Sequence, residues 1–170
     1  AKSKLSGRQF DVPYWSAMFW FRTTTTGSMW LLTKYAPSGA PWYSQKHSTG
    51  SFRCVITGLA AQMVSSSTYF HDGNWHCVAF ATDETGGKLY GSPDHLPANL
   101  VLQDSEVWSA GVVTPTANNF YRVGAIDDVT TAAADFQHTQ LRWGQITLAQ
   151  LQAINPSEGL FAPPSLPRTL

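Results

Sequence analysis

Between His71 and Cys77 the chain reads HDGNWHC, a stretch that combines two histidines, an aspartate and a thiol. Imidazole, carboxylate and thiolate are zinc ligands, and a histidine near a cysteine is also a pair used in nucleophilic catalysis. Local geometry argues against both uses. Asp-Gly-Asn at 72–74 is a turn signal, and the residues from Trp75 onward alternate as a strand. Trp75, Cys77, Ala79 and Ala81 fall on one face, and His76, Val78, Phe80 and Thr82 on the other. His76 and Cys77 then point to opposite sides of a sheet and do not share a metal. No Cys-x-x-Cys or His-Glu-x-x-His supplies further ligands. The stretch therefore reads as a turn entering an internal strand, with Cys77 packed beside Trp75 and no metal or cofactor implied.

Other candidate chemistry is thinner. Glycoside cleavage needs two carboxylates about 5 to 9.5 Å apart, whereas the only glutamates, Glu84, Glu106 and Glu158, are isolated in turns or in the tail. Serines and histidines are present, but no Gly-x-Ser-x-Gly elbow selects a nucleophile. TGGK at Thr85 lacks phosphate-loop spacing and reads as hairpin turn chemistry. Asp127, Asp128 and Asp135 offer oxygens to calcium, but an acidic solvated loop is the better account of them. No catalytic residue is assigned, and the expectation is that the chain is not an enzyme.

These residues are positioned by a chain of 170 residues, enough for one domain, with 43% hydrophobic, 13% aromatic and 13% charged residues. Eleven basic residues balance eleven acidic ones, so nothing draws the protein to nucleic acid or an anionic membrane. Proteins and neutral sugars are the expected partners. AKSKLSGRQF has no signal-peptide core, and no segment approaches the ~20 apolar residues of a spanning helix. There is no glycosylation sequon, and two cysteines make no disulfide framework. Synthesis in a cytosol is expected, with Cys54 and Cys77 as buried thiols.

Short apolar runs rich in aromatic and β-branched residues, separated by turn formers, predict many strands. YWSAMFWFR at 14–22 is apolar on both faces, as in a strand covered on both sides. TTTTG turns the chain and MWLLTKY returns it. In SFRCVITGL, Phe52, Cys54 and Ile56 share one face while Arg53 and Thr57 share the other. KLYGS reads as the hairpin partner of the strand from Trp75, followed later by NFYRVGA and FQHTQLRWGQI. One short helix is expected: Thr147 and Gln150 form a capping box, Ile146 and Leu151 a hydrophobic staple, and Asn155-Pro156 a stop. This divides the chain into an N-terminal arm (1–12), a strand-built body (13–155) and a proline-rich tail (156–170).

Five segments in order, WHCVAF at Trp75, KLY at Lys88, YRVG at Tyr121, FQHTQLRW at Phe136 and ITLAQLQAI at Ile146, resemble the concanavalin A-like superfamily. The likeness is to its laminin-G-like and pentraxin-like members and covers most of 14–155. LYGSPD stands where that family usually has Leu-Tyr-Val-Asp-Gly, and His138 where it has glycine. The resemblance implies an all-β fold, an antiparallel two-sheet jelly-roll sandwich over 13–155 with one short helix near the C-terminus. Such scaffolds host sugar binding, protein binding, glycoside cleavage and structural roles, so fold does not choose among them. The Glu-x-Asp-x-x-Glu motif of the superfamily's glucanases is missing.

A low-charge sandwich with an arm at each end is similar in organisation to the bacteriophage virion proteins of this fold. The expected function is a non-enzymatic structural and interaction protein of a virion, such as a capsid decoration or a head or tail appendage. Its partners would be other virion proteins or copies of itself as a homo-oligomer. The partner-binding residues would be Lys2, Lys4 and Arg8 in the basic arm, and Leu160, Phe161, Leu166 and Leu170 in the tail. The alternative is an extracellular carbohydrate-binding module, with Trp42, Trp108 and Trp143 stacking on neutral glycans.

Overall fold

Aromatic and β-branched residues fit a pleated surface that is covered on at least one side, and here they build two antiparallel sheets. The protein is seen in a computed structural model that describes residues 4–6, 15–36, 39–56, 61–83, 85–108, 120–124, 133–143 and 146–154. One sheet has six strands, in the spatial order β1 (Lys4–Ser6), β10 (Phe120–Val123), β3 (Met29–Ala36), β4 (Gly39–Lys46), β5 (Phe52–Ile56), β6 (Ala61–Val64). The other has five, in the order β11 (Asp135–Trp143), β2 (Trp15–Arg22), β7 (His76–Thr82), β8 (Gly86–Gly91), β9 (Val101–Val107). Helix α1 (Leu148–Gln152) follows β11. The fold is the expected all-β sandwich with one short helix.

Two cores explain the apolar runs. Between the sheets lie Trp15, Phe19 and Phe21 of β2, Leu31 and Leu32 of β3, Trp42 of β4, and Phe52, Cys54 and Ile56 of β5, with Val78, Phe80 and Leu89 opposite. On the outer face of the five-stranded sheet, Met18, Trp20, Cys77, Ala79, Ala81 and Tyr90 are covered by Leu100 and by Leu151 of α1. Strands β2 and β7 are therefore apolar on both faces because both faces are buried. Trp75 packs against the second core beside Cys77, as its place in the alternation requires.

Helix α1 is set by its first turn. The Thr147 hydroxyl accepts from the Gln150 N–H, and the Gln150 side chain accepts from the Thr147 N–H at 2.9 Å. Gln152 then donates to the Leu100 carbonyl at 2.8 Å, tying the helix to the 3-10 turn at Pro97–Asn99.

Two sequence expectations change. The TTTTG turn does reverse the chain, but β2 and β3 belong to different sheets, so it carries the chain across the end of the sandwich. Lys46 enables that crossing: its fully buried side chain reaches from β4, and its ammonium donates to the carbonyls of Thr25 and Gly27. Part of the expected N-terminal arm is instead an edge strand, with Lys4 paired to Arg122 and Ser6 to Phe120 through the backbone.

Candidate functional site

Arg22 is the one exposed residue of β2, and it lies at the strand's end. The register of β11 on β2 places Asp135 directly opposite, and Arg22 Nε donates to Asp135 Oδ2 at 2.7 Å. The guanidinium also lies over the Trp75 ring, 5.2 Å from its centre, in a cation–π contact. Beyond Arg22 the crossing segment is stitched to both neighbours. Thr23 Oγ1 donates to the Ala133 carbonyl at 2.8 Å, and the Gly73 N–H donates to the Thr23 carbonyl at 3.0 Å. The result is an open cleft of about 460 Å³ lined by Arg22, Thr23, Thr24, Gly73 and residues 133–135.

Gly73 in the cleft lining is the middle residue of the Asp-Gly-Asn turn, and the geometry of that turn explains the histidine beside it. Asp72 Oδ1 accepts from the Asn74 N–H at 2.8 Å, and Gly73 occupies the left-handed region at φ 85°, where glycine carries no steric penalty. His76 is fully buried among Phe21, Tyr69 and Phe70, with Nε2 2.8 Å from Asp72 Oδ1 and Nδ1 3.2 Å from the Ser92 carbonyl. The histidine thus anchors the turn to β7. Cys77 lies in the opposite core, and burial raises the Cys54 and Cys77 thiols, which keeps both protonated at neutral pH.

Burial alone would raise the Asp72 carboxyl, but hydrogen bonds from Asn74 and His76 outweigh it and hold the group below its ordinary 3.8. Asp94 behaves likewise, its burial outweighed by hydrogen bonds from the Leu96 N–H, Asn99 and Ser92. A depressed folded-state value stabilises the protein above the unfolded value, and that stabilisation is lost as pH falls through the folded one. The expected result is a stability that declines below about pH 4. In Asp72→Asn and Asp94→Asn proteins the decline is shallower, as urea melts across the acid range would show. Variants with the same acid slope as the parent protein would refute the assignment.

The sequence-derived binding residues fare differently. Trp42 is 1% exposed and stacks on Trp15 with ring centroids 4.2 Å apart, so its place in a glycan site is corrected to the core. Trp108 is corrected similarly: it is 8% exposed, and its indole N–H donates to the Asp83 carbonyl at 3.2 Å. Both rings are inward because hairpin and strand register turn them there. The Trp143 side chain lies outside the described residues, although its backbone pairs with Trp15 in β11. Lys2, Arg8, Leu160, Phe161, Leu166 and Leu170 lie outside the described residues too, as do Asp127 and Asp128. Sequence reading missed Arg22 and Asp135 as a pair. The only signal was a charged residue closing one apolar run and another opening a second.

No protein-family model matches the chain, and no curated protein matches it. Solved structures do. The native heptameric SAP-like pentraxin from Limulus polyphemus superposes with a TM-score of 0.62 at 9% identity, over 83% of this chain and 69% of that one. Domains LG4-5 of the mouse laminin alpha1 chain give 0.64 at 13% identity, over 86% of this chain and 40% of the laminin fragment. Domain 4 of AbnA, a GH43 extracellular arabinanase from Geobacillus stearothermophilus solved in complex with arabinotriose, gives 0.56 at 16% identity. That match covers 88% of this chain and 69% of the arabinanase domain. Likeness at these identities shows the fold alone, and together with the two antiparallel sheets it gives this chain the jelly-roll sandwich fold it shares with those three proteins.

Proposed function

We propose that this chain is a non-enzymatic interaction domain that holds a neutral, hydroxyl-rich ligand, a glycan, in the cleft beside Arg22 and Asp135. The observation that carries the reading is the Arg22–Asp135 pair itself. The two charges cancel, so the cleft presents donors and acceptors side by side without selecting for a charged ligand. Adjacent sugar hydroxyls donate to Asp135 and accept from Arg22, and the Trp75 contact limits the side-chain entropy that binding removes. Asp135 is the one carboxylate lining the cleft among the described residues, which suits binding better than cleavage by a carboxylate pair. The arabinotriose complex of the arabinanase domain supports the reading by showing a sugar ligand in a protein of this fold.

A second reading, a virion component that attaches to other virion proteins or to its own copies, has a different support. The exposed large apolar side chains among the described residues, Leu96, Val101, Leu102 and Val107, all lie in or just before the edge strand β9, with Val107 88% exposed. An apolar sheet edge suits protein contact.

One experiment separates the two: a glycan array and calorimetry, run alongside light scattering across protein concentration. Submillimolar binding of one neutral glycan family, weakened about tenfold or more by Asp135→Ala with an unchanged melting temperature, is the expected result. No glycan bound by a protein that self-associates would replace the first reading with the second.

A further inference from the structure

The face of the six-stranded sheet turned away from the core carries a second constellation that does not depend on the cleft. Trp42, Phe52, Cys54 and Ile56 point into the inter-sheet core, so alternation turns Tyr43, Gln45, Arg53 and Val55 to the other face, where Gln45 is buried at 7% exposure and the other three are partly exposed. Register pairs Trp30 with Gln45 and Gln45 with Arg53, setting the three in a row across β3, β4 and β5 that spans about 10 Å. Tyr43 stands beside that row and packs edge-on against Trp30, with ring centroids 4.6 Å apart and planes at 75°. Both rings are partly exposed.

Arg53 completes the row. Its Nε donates to Gln45 Oε1 at 2.6 Å, and because Gln45 is only 7% exposed the bond is held by a buried partner, which fixes the guanidinium and leaves its terminal nitrogens as donors. No carboxylate of the described residues pairs with it. The contrast with Arg22, whose charge Asp135 matches, decides the ligand: the cleft is balanced, while this face holds an oriented cation, unmatched among the described residues, next to an edge-on aromatic pair.

We propose that this face binds an acidic saccharide, a uronic acid whose ring rests on Trp30, which Tyr43 braces edge-on, while its carboxylate is met by the Arg53 guanidinium that Gln45 holds in place. A planar fork recognises a carboxylate through two parallel hydrogen bonds, and Gln45 has already oriented it. Aromatic rings accept the apolar face of a sugar. A saccharide fits better than an acidic peptide, because β3, β4 and β5 each have hydrogen-bonded neighbours on both sides and offer no main-chain ladder to an extended chain.

The test is titration of the full chain with trigalacturonate, its neutral methyl ester and triglutamate, followed by tryptophan fluorescence and calorimetry. Trigalacturonate is expected to bind about tenfold or more tightly than the other two, and more weakly as salt rises. Arg53→Gln and Trp30→Ala each weaken it by about tenfold, Arg53→Lys recovers part of the loss, and Lys88→Gln, which removes an exposed cation on the other sheet, changes nothing. Folding of each variant is checked by its melting temperature. The proposal is overturned if folded wild-type protein ignores trigalacturonate, if the ester or triglutamate binds as tightly, or if the folded Arg53→Gln protein, or the Arg53→Lys protein where the glutamine variant does not fold, binds as the wild type does.

Discussion

Trp42→Ala is expected to destabilise the protein by about 3–5 kcal/mol. The indole is 1% exposed, stacks on Trp15 and meets the edge of Phe80 at 5.5 Å, so its removal opens a void between the sheets. A loss of that size is a large fraction of the ~5–15 kcal/mol that holds a domain together. Urea denaturation of the two proteins measures it directly. A surface tryptophan would behave otherwise, with a change within about 0.5 kcal/mol and its effect confined to ligand affinity. That outcome would return Trp42 to a binding role.

Gly50→Ala should cost roughly 3 kcal/mol or more, by a different route. Gly50 sits at φ 82°, and an added Cβ would lie 2.1 Å from the Thr68 carbonyl oxygen and 2.6 Å from the His71 ring. The backbone carbonyl cannot swing aside as a flexible side chain could. Gly50 also accepts from the Phe70 N–H at 3.1 Å, so the strain passes into the loop that leads to Gly73 in the cleft wall. Weaker ligand binding should therefore accompany the lower melting temperature. Gly27→Ala is the contrast, since a Cβ there meets only Thr25 Cγ2 at 3.8 Å. If both substitutions were equally mild, the close packing of the 47–51 loop on His71 would be wrong.

Patterns confined to one segment were legible without a structure. The alternation in WHCVAFAT assigned His76 and Cys77 to opposite faces, and the two cores do receive them separately. The capping box at Thr147 and Gln150 was equally local, because both partners lie within one helical turn. The run at 14–22 announced burial on both faces, since a strand with no polar face has none to give to water.

Tertiary structure alone decided which face of a strand turns inward when the pattern is mixed. In β4, Trp42, Ser44 and Lys46 share one face, and a lysine and a serine on it argue for solvent. That face is nonetheless the inner one. Ser44 Oγ accepts from the Leu32 N–H at 2.9 Å and donates to its carbonyl at 3.1 Å, next to the irregularity in β3–β4 pairing between Trp30 and Leu32. Lys46 finds the carbonyls of the crossing segment at the sandwich's end. Each polar group is satisfied by backbone atoms 12 to 21 residues away in sequence, and those partners exist only once the sheets have formed. The same inward turn of Trp42 sends Trp30, Gln45 and Arg53 to the other face, and the pairing of Arg22 with Asp135 spans 113 residues. Composition and periodicity determined that this chain makes many short strands and a capped helix, and the ordered segments resembling a known superfamily implied that the strands form a sandwich. Register between distant strands determined where its charges meet, because cross-strand neighbours are fixed by pairing and not by spacing along the chain.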